Sequence, residues 1–194
     1  GVAITYHDNS KIFGAIRVFN KYPEMNAILH KVINFSDFQG MEKTVITRTA
    51  YRLTEQLHKE HPEAISQLSK GHAYDMTTNI FERLPQVFFD EKPDDNYKYI
   101  RILGRENNQR IYKYIRADFV NEPKNLYSYK VFLPSGNGNG QFGEVLTAPV
   151  EGTVGVGSTE TFISIGSLKN IEELHALIKY IKGKFARAMI GVLK

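Results

Sequence analysis

The stretches YKYIRIL (residues 97–103) and RIYKYIR (residues 110–116) carry the most regular pattern in the sequence. In both, isoleucines alternate with tyrosines and arginines, so that all the isoleucines fall on one face of a strand pair. The six residues between the two stretches are mostly polar and include a glycine. The pattern therefore predicts a β-hairpin with its isoleucine face against a core.

The opposite face of this predicted hairpin is rich in tyrosine and arginine. Planar guanidinium groups and phenol hydroxyls combine hydrogen-bonding groups with flat surfaces that can stack, which suits contacts to phosphates and base edges. The connection adds side chains that can bond guanine or adenine edges. The residues are Tyr97, Tyr99, Arg101, Arg110, Tyr112, Tyr114 and Arg116 on the face, and Arg105, Asn107, Asn108 and Gln109 in the connection. A solvated sheet face is the alternative interpretation, because Tyr and Arg are also common cross-strand partners.

Further strands and one helix are indicated after the hairpin. Residues 127–133 and 161–165 have the composition of strands. Asn170 is placed as the N-cap of the clearest helix in the chain, with Glu173 in a variant of the capping box. The apolar stripe of this helix continues to Val192, which predicts one long C-terminal helix beside a mixed, largely antiparallel sheet.

The first half is predicted to be helical after an initial hairpin at residues 2–6 and 12–19. Apolar residues at helical spacing indicate helices from Pro23, over residues 46–57 and after Pro62. Helices in one part and hairpins in another, without regular alternation of strand and helix, predict an α+β fold.

A polar, acidic loop at residues 90–96 coincides with a change in the sign of the charge. Residues 1–96 carry 11 basic and 13 acidic side chains, whereas residues 97–194 carry 14 and 8. We therefore predict a helical N-terminal subdomain over 1–96 and a β-rich subdomain over 97–194. The basic excess of the second part favours an anionic partner such as nucleic acid, with an ordinary solvated surface as the alternative.

The composition excludes several classes of protein. The 194 residues include no cysteine, so neither a disulfide framework nor a Cys-ligated zinc site can form. No apolar run approaches the roughly 20 residues that span a bilayer. We expect a cytoplasmic protein with no membrane partner, and the first residue, Gly1, leads us to expect a piece of a longer chain.

Two further patterns are less specific. The Gly-rich segment 134–143 lacks the Lys-Ser/Thr of a P-loop. Its Asn137, Asn139 and Gln141 therefore belong to a loop that reaches a groove, cradles a phosphate or only connects two strands. Lys182 and its basic neighbours on the last helix either contact phosphates or form a solvated face.

A short nuclease-like pattern defines the runner-up function. Asp94 follows a proline, and Glu122 and Lys124 flank another, as in some metal-dependent nucleases. These three residues would bind magnesium and cleave DNA. Because Pro123 would remove a hydrogen-bond donor from the strand that this pattern requires, we prefer a non-catalytic function.

Several segments resemble a known family. KVFLP at 130–134, the Gly/Asn loop, STETFISIG at 158–166 and YIKGKFAR at 180–187 are similar to the C-terminal specificity domain of adenine-specific DNA methyltransferases from type II restriction–modification systems. Some of these enzymes carry methylase and nuclease in one chain. The opening GVAITY, followed by Phe13-Gly14, resembles the segment with which these proteins leave the methyltransferase domain.

The resemblance implies target recognition rather than catalysis. In such enzymes one domain selects the DNA sequence while another flips out the adenine and methylates it from S-adenosylmethionine. Asn121-Glu122-Pro123 is the nearest fragment to the catalytic Asn-Pro-Pro-Tyr motif, and it lacks the second proline and the aromatic residue. We expect a non-catalytic fragment without a cofactor of its own. Its expected partners are double-stranded DNA and the methyltransferase domain of the parent chain, and the missing domain would hold S-adenosylmethionine.

The predicted contact residues come from the hairpin, the Gly-rich loop and the basic positions near them. They are Tyr99, Arg101, Arg105, Asn107, Asn108, Arg110, Tyr112, Tyr114, Arg116, Lys130, Asn137, Asn139, Gln141 and Lys182. A protein-interaction module, whose basic face contacts a partner subunit, is a third class of function.

Overall fold

The computed structural model describes residues 5, 7–12, 22–136 and 148–192, with side chains described up to residue 188. The predicted strands at 2–6 and 12–19 lie outside these residues, apart from isolated positions. The helices are α1 Pro23–Ile33, α2 Glu55–Glu60, α3 Ala64–Gln67, α4 Ile80–Arg83, α5 Ile171–Lys182 and α6 Lys184–Val192, with short 3-10 helices at Met41–Thr44 and Ala117–Phe119. The strands are β1 Val45–Ile46, β2 Tyr99–Glu106, β3 Gln109–Arg116, β4 Tyr129–Pro134, β5 Val150–Gly152, β6 Val156–Ser158 and β7 Phe162–Leu168.

The strands form two sheets in the described part of the chain. One sheet has four strands in the order β1-β7-β4-β5, and the other has three in the order β3-β2-β6. All the pairs are antiparallel except β2–β6. The predicted α+β class with a mixed, largely antiparallel arrangement of strands is therefore confirmed.

The main core joins the two halves of the sequence. Leu57 and Phe81 from the helical part belong to one buried cluster with Ile102, Leu126 and Phe132 from the strands. The predicted boundary after the acidic loop thus does not coincide with a division of the core. The hairpin is packed on the helical part through its isoleucine face, because Ile100, Ile102 and the equivalent Ile115 are buried.

A second, smaller cluster holds α5 against the four-stranded sheet. Leu174 and Ile181 from α5 are buried with Val131, Leu133 and Ile165. These α5 residues are seven apart, which places them on one face of the helix. The helix therefore serves as scaffold behind β4 and β7.

The predicted helix over residues 46–57 is wrong in its first part. Ile46 lies in strand β1, and helix α2 begins only at Glu55. Tyr51 and Leu53 are both buried, and Leu53 forms an isolated antiparallel bridge. Burial of alternate residues is the pattern of an extended segment. The apolar positions fit both patterns, so their spacing alone did not distinguish helix from strand.

The long C-terminal helix is divided in two. Helix α5 ends at Lys182 and α6 begins at Lys184, because Gly183 takes an extended conformation with ψ of 153°. Glycine costs about 1 kcal/mol relative to alanine inside a helix, which makes this the weakest point of the stripe. The predicted N-cap is confirmed, since the Asn170 side chain accepts a hydrogen bond from the backbone N–H of Glu173 at 2.9 Å.

Gly104 in β2 provides a stability prediction. A Cβ atom at this position would overlap the Phe81 ring and come within 3.0 Å of Thr159 Cγ2. Phe81 is buried and has little room to move. We expect Gly104→Ala to lower the free energy of unfolding by about 1–3 kcal/mol, the usual cost of overpacking a core.

Chemical denaturation measures this effect, with Gly136→Ala as the matched control. A Cβ at Gly136 meets nothing within 4 Å, so that variant should stay within about 0.5 kcal/mol of the wild type. Equal stability of the two variants would contradict the packing described for β2.

Candidate nucleic-acid interface

The hairpin has longer strands and a shorter connection than predicted. Cross-strand pairs run from Tyr99–Arg116 at the base to Glu106–Gln109 next to the turn. Only Asn107 and Asn108 connect the strands, with φ of 49° and 63°. Positive φ at both central residues defines the type I′ class of turn, which asparagine tolerates better than most residues. Both asparagines thus have a structural role at the tip, where they are exposed.

The face opposite the isoleucines is less polar than the sequence indicates. Leu103 lies directly across from Tyr112 on this face. Its exposed fraction is 1%, and it belongs to the main hydrophobic core. The exposed part of the face therefore begins at Arg105 and continues across β3 through Arg110 and Tyr112.

Three arginines on this face form what we call the hairpin arginine cluster: Arg101, Arg105 and Arg110. Arg101 lies 5.3 Å from the centre of the Tyr112 ring, and its Nη2 donates to Thr153 Oγ1 at 3.4 Å. Burial raises the pKa of Tyr112, and the charges of Arg101 and Arg110 partly oppose this shift. The two guanidinium groups thus act on the same phenol, and the carboxylate of Glu151 opposes their effect on its pKa.

Arg105 and Arg110 lie directly opposite each other next to the turn. Each donates to a backbone carbonyl: Arg105 Nη2 to Asn108 at 3.2 Å, and Arg110 Nη1 to Ala148 at 2.9 Å. Both are exposed and line a groove of about 210 Å³ that also includes Thr161 and Phe162. Over residues 22–136 and 148–188, no carboxylate forms an ion pair with any member of the cluster.

Arg116 does not belong to the exposed surface, so its predicted contact role is corrected. Its side chain is only 11% exposed and forms ion pairs with Glu60 and Asp118. The guanidinium also lies 3.7 Å from the centre of the Tyr97 ring and 4.2 Å from that of Phe119. The hydrogen bond to Asp118, followed by those to Glu60, raises its pKa further above the ordinary value for arginine. Arg116 therefore ties the base of the hairpin to α2.

Lys130 is also removed from the predicted contact surface. It is fully buried, and its Nζ donates to the backbone oxygens of Asn125 at 2.7 Å, Leu126 at 2.8 Å and Ser128 at 3.0 Å. Burial lowers the pKa of Lys130 to about 7. Its role is to satisfy three carbonyl groups that would otherwise lack donors in the interior.

The side chain of Asn125 extends this interior network. It accepts from the Tyr51 hydroxyl at 2.9 Å and donates to Ser164 Oγ at 3.0 Å and to the Gly166 carbonyl at 3.2 Å. Burial raises the pKa of Tyr51 to about 12. The sequence offers no periodic signal for such a network, since its members come from three separate segments.

Lys113 is a cation that sequence reasoning did not single out. Alternation places it on the isoleucine face, where its side chain is 12% exposed. It pairs with Asp90 at 3.0 Å and with Glu106 at 3.3 Å. Burial alone would lower the pKa of Lys113, but these two carboxylates raise it above the ordinary value. Its charge is thus neutralised within the protein.

The remaining predicted contacts are scattered. Tyr99 donates from its hydroxyl to Asp95 at 2.8 Å, and desolvation together with this bond raises its pKa to about 12. Tyr114 is half-buried and pairs through its backbone with Phe89. Lys182 is exposed at the end of α5. Asn137, Asn139 and Gln141 lie outside the described residues.

The two carboxylates of the nuclease pattern have different surroundings. Asp94 lies in the exposed acidic loop, and Glu122 Oε1 accepts from the Tyr127 hydroxyl at 3.2 Å. Among the described residues, no group of three or more His, Asp or Glu side chains is arranged to hold a metal ion. In the same part of the chain, no helix combines the length and apolarity needed to cross a membrane.

Searches of family models, curated protein sequences and solved structures for proteins similar to this chain gave no match. The interpretation of the site therefore depends on its own geometry and charge.

Proposed function

We propose that this chain is a duplex-DNA recognition domain of a restriction–modification adenine methyltransferase. Catalysis and S-adenosylmethionine binding belong to a separate methyltransferase domain of the parent protein. The hairpin arginine cluster, with Tyr112 and the turn asparagines, forms the surface that contacts DNA. The resemblance noted in the sequence supplies the class of enzyme, and the geometry of the hairpin supplies the surface.

One observation carries this proposal: cations with and without carboxylate partners are separated on the hairpin. Arg116 and Lys113 are each neutralised by two carboxylates. Arg101, Arg105 and Arg110 have no such partner among the described residues. Unpaired arginines beside an exposed tyrosine provide both positive charge and stacking surface, the two properties that nucleic-acid contacts require.

The shape of the hairpin tip supports contact with a duplex. Strand β6 pairs with β2 only as far as Leu103, so the ribbon extends beyond its neighbour on that side. The residues of the tip, from Arg105 to Arg110, are almost all exposed. A two-stranded ribbon fits the major groove of B-DNA, which is about 12 Å wide. Asn107 and Asn108 at such a tip are chemically able to bond adenine edges.

Fluorescence anisotropy with labelled duplex DNA of random sequence tests the proposal. We expect the 194-residue chain to bind at low salt and to lose affinity as salt rises. Each neutralised phosphate contributes about −0.9 to the slope of log affinity against log salt concentration. Two phosphate contacts alone predict a slope of about −1.8, and we expect a slope at least this steep.

Two controls define the result. A supercoiled plasmid incubated with the chain and magnesium should stay intact, whereas cleavage that Glu122→Ala abolishes would favour the nuclease. Absence of any salt-dependent binding to duplex DNA would overturn the proposed function and favour a surface for a protein partner.

A further inference from the structure

We propose that the groove between Arg105, Arg110 and Thr161 binds a backbone phosphodiester of duplex DNA and contributes affinity without sequence preference. This inference rests on the proposed function. It assigns Arg105 and Arg110 to the phosphate backbone of DNA. Arg101 and Tyr112 remain the candidate contacts to bases.

The register of the hairpin brings two like charges together. Arg105 and Arg110 are direct cross-strand partners on one face, where Cβ atoms of opposite residues lie about 4.5–5.5 Å apart. Like charges in such positions destabilise a sheet. Elsewhere on the hairpin, Lys113 and Arg116 each have two carboxylates. An anion between Arg105 and Arg110 would supply the counter-charge that the described protein residues do not.

The backbone holds both guanidinium groups in place before any ligand arrives. Arg105 donates to the Asn108 carbonyl and Arg110 to the Ala148 carbonyl. The Arg110 guanidinium also lies 5.8 Å from the centre of the buried Phe162 ring. A guanidinium has five N–H donors, so each arginine keeps most of its donors for a ligand. Prior ordering of the side chains reduces the entropy lost on binding.

A hydroxyl group completes the wall of the groove. Thr161 Oγ1 accepts a hydrogen bond from Thr159 Oγ1 at 3.0 Å, which leaves the O–H of Thr161 to donate elsewhere. The groove thus combines two cations with a hydroxyl donor in about 210 Å³. A phosphodiester carries the single negative charge and the acceptor oxygens that suit this set.

The arrangement favours a phosphate over a base edge. Base edges are neutral, so they cannot offset two adjacent positive charges. Guanine is read by both donors of one guanidinium fork aligned in the plane of the base, whereas the forks of Arg105 and Arg110 are each turned partly toward a carbonyl. A phosphate accepts single hydrogen bonds from several directions and needs no such alignment.

The test compares the salt slopes of three variants with that of the wild type on duplex DNA of random sequence. We expect Arg105→Ala/Arg110→Ala to bind with a slope that is shallower by about 0.9, because the contact with one phosphate is lost. Arg105→Lys/Arg110→Lys should keep most of the slope, since a phosphate contact needs the charge more than the fork. The matched control, Lys59→Ala/Lys70→Ala, removes the same charge from exposed positions of the helical part and should leave the slope unchanged.

The outcomes separate this inference from the proposed function. If the wild type shows no salt-dependent DNA binding, the proposed function fails and this inference fails with it. If the wild type binds but the double alanine variant keeps the full slope, only the phosphate site is overturned. If the lysine variant loses as much slope as the alanine variant, the groove does not act through charge and the assignment is also wrong.

A second arm identifies the source of the phosphate. Inorganic phosphate is added to the wild type without DNA, and thermal unfolding is followed at constant ionic strength. Little change in Tm supports a site for the diester of a DNA backbone. A saturable rise in Tm that the double alanine variant lacks would overturn the DNA assignment in favour of a site for free phosphate.

Discussion

Lys130→Met is expected to lower the free energy of unfolding by about 3 kcal/mol at pH 7. Methionine fills a similar volume but donates no hydrogen bond, so the carbonyls of Asn125, Leu126 and Ser128 lose their shared donor. An unsatisfied buried polar group costs about 1–3 kcal/mol. The removal of a buried charge offsets part of the total. Urea denaturation of the variant and the wild type measures the difference.

The same variant should reveal a pH dependence with a definite sign. The pKa of Lys130 is about 7 in the folded protein and 10.5 is its ordinary value. Between these values the unfolded chain holds a proton that the folded chain has released. The free energy of unfolding of the wild type therefore rises with pH, relative to Lys130→Met, by up to about 1.4 kcal/mol per pH unit above pH 7. Below pH 7 this contribution is constant.

Lys182→Met is the matched control for both effects. Lys182 is exposed on α5, so its loss should change stability by less than about 0.5 kcal/mol and should add no pH dependence. If the difference in the free energy of unfolding between the wild type and Lys130→Met stays constant from pH 7 to pH 9, Lys130 keeps its proton throughout this range. Equal stability of the two proteins would contradict the structural role.

Arg101→Ala/Arg110→Ala should weaken the binding of duplex DNA by about thirtyfold. Each arginine is expected to contribute about 1 kcal/mol or more, and a loss of about 2 kcal/mol corresponds to this factor. The effect should be largest at low salt, where phosphate contacts are strongest. Fluorescence anisotropy at a fixed low salt concentration measures the change, and the unfolding transition checks that the variant stays folded.

The turn asparagines allow a second comparison at the same surface. Asn107→Gly/Asn108→Gly preserves the positive φ values that the turn requires, but removes both side-chain amides. Weaker DNA binding with unchanged stability would assign the amides to contacts with DNA.

Full affinity of Arg101→Ala/Arg110→Ala would remove the arginine surface from the interface, while leaving the fold as described.

Period-two and capping signals predicted the local structure well. The alternation in residues 97–103 and 110–116 correctly indicated the hairpin, because one strand pair with a buried face leaves a direct pattern in the sequence. Asn170 and Glu173 correctly indicated the start of α5 for a similar reason, since a cap is a contact between near neighbours. A hairpin with one buried face and a helix cap can therefore be predicted from the sequence pattern.

Two features were missed because strand alternation does not show which groups a side chain will contact. Arg116 was predicted to face a ligand, but Glu60 lies 56 positions away in the chain and neutralises it together with Asp118. Lys130 was treated as an exposed base, although its carbonyl partners in a nearby turn draw it into the interior. Alternation predicts the face of the sheet on which a side chain lies. It does not predict which residue or ligand that side chain contacts.

The assignment of helices failed where one spacing fits two structures. Ile46, Leu53 and Leu57 repeat at helical intervals, yet residues 45–54 form strand, turn and bridge conformations and no helix. Four threonines between residues 44 and 54 are poor helix formers and were the signal that favoured a non-helical segment. At Gly183 the apolar stripe continues in the sequence, but the helical conformation of the backbone is interrupted.

The bonds of Arg116 fix only one end of the hairpin. Its base is attached to α2 through Glu60, while β6 pairs with β2 only as far as Leu103. Thermal displacement of the ribbon should therefore grow toward Asn107 and Asn108. If the hairpin contacts DNA as proposed, its tip can adjust to local variation in groove width while its base stays attached to α2.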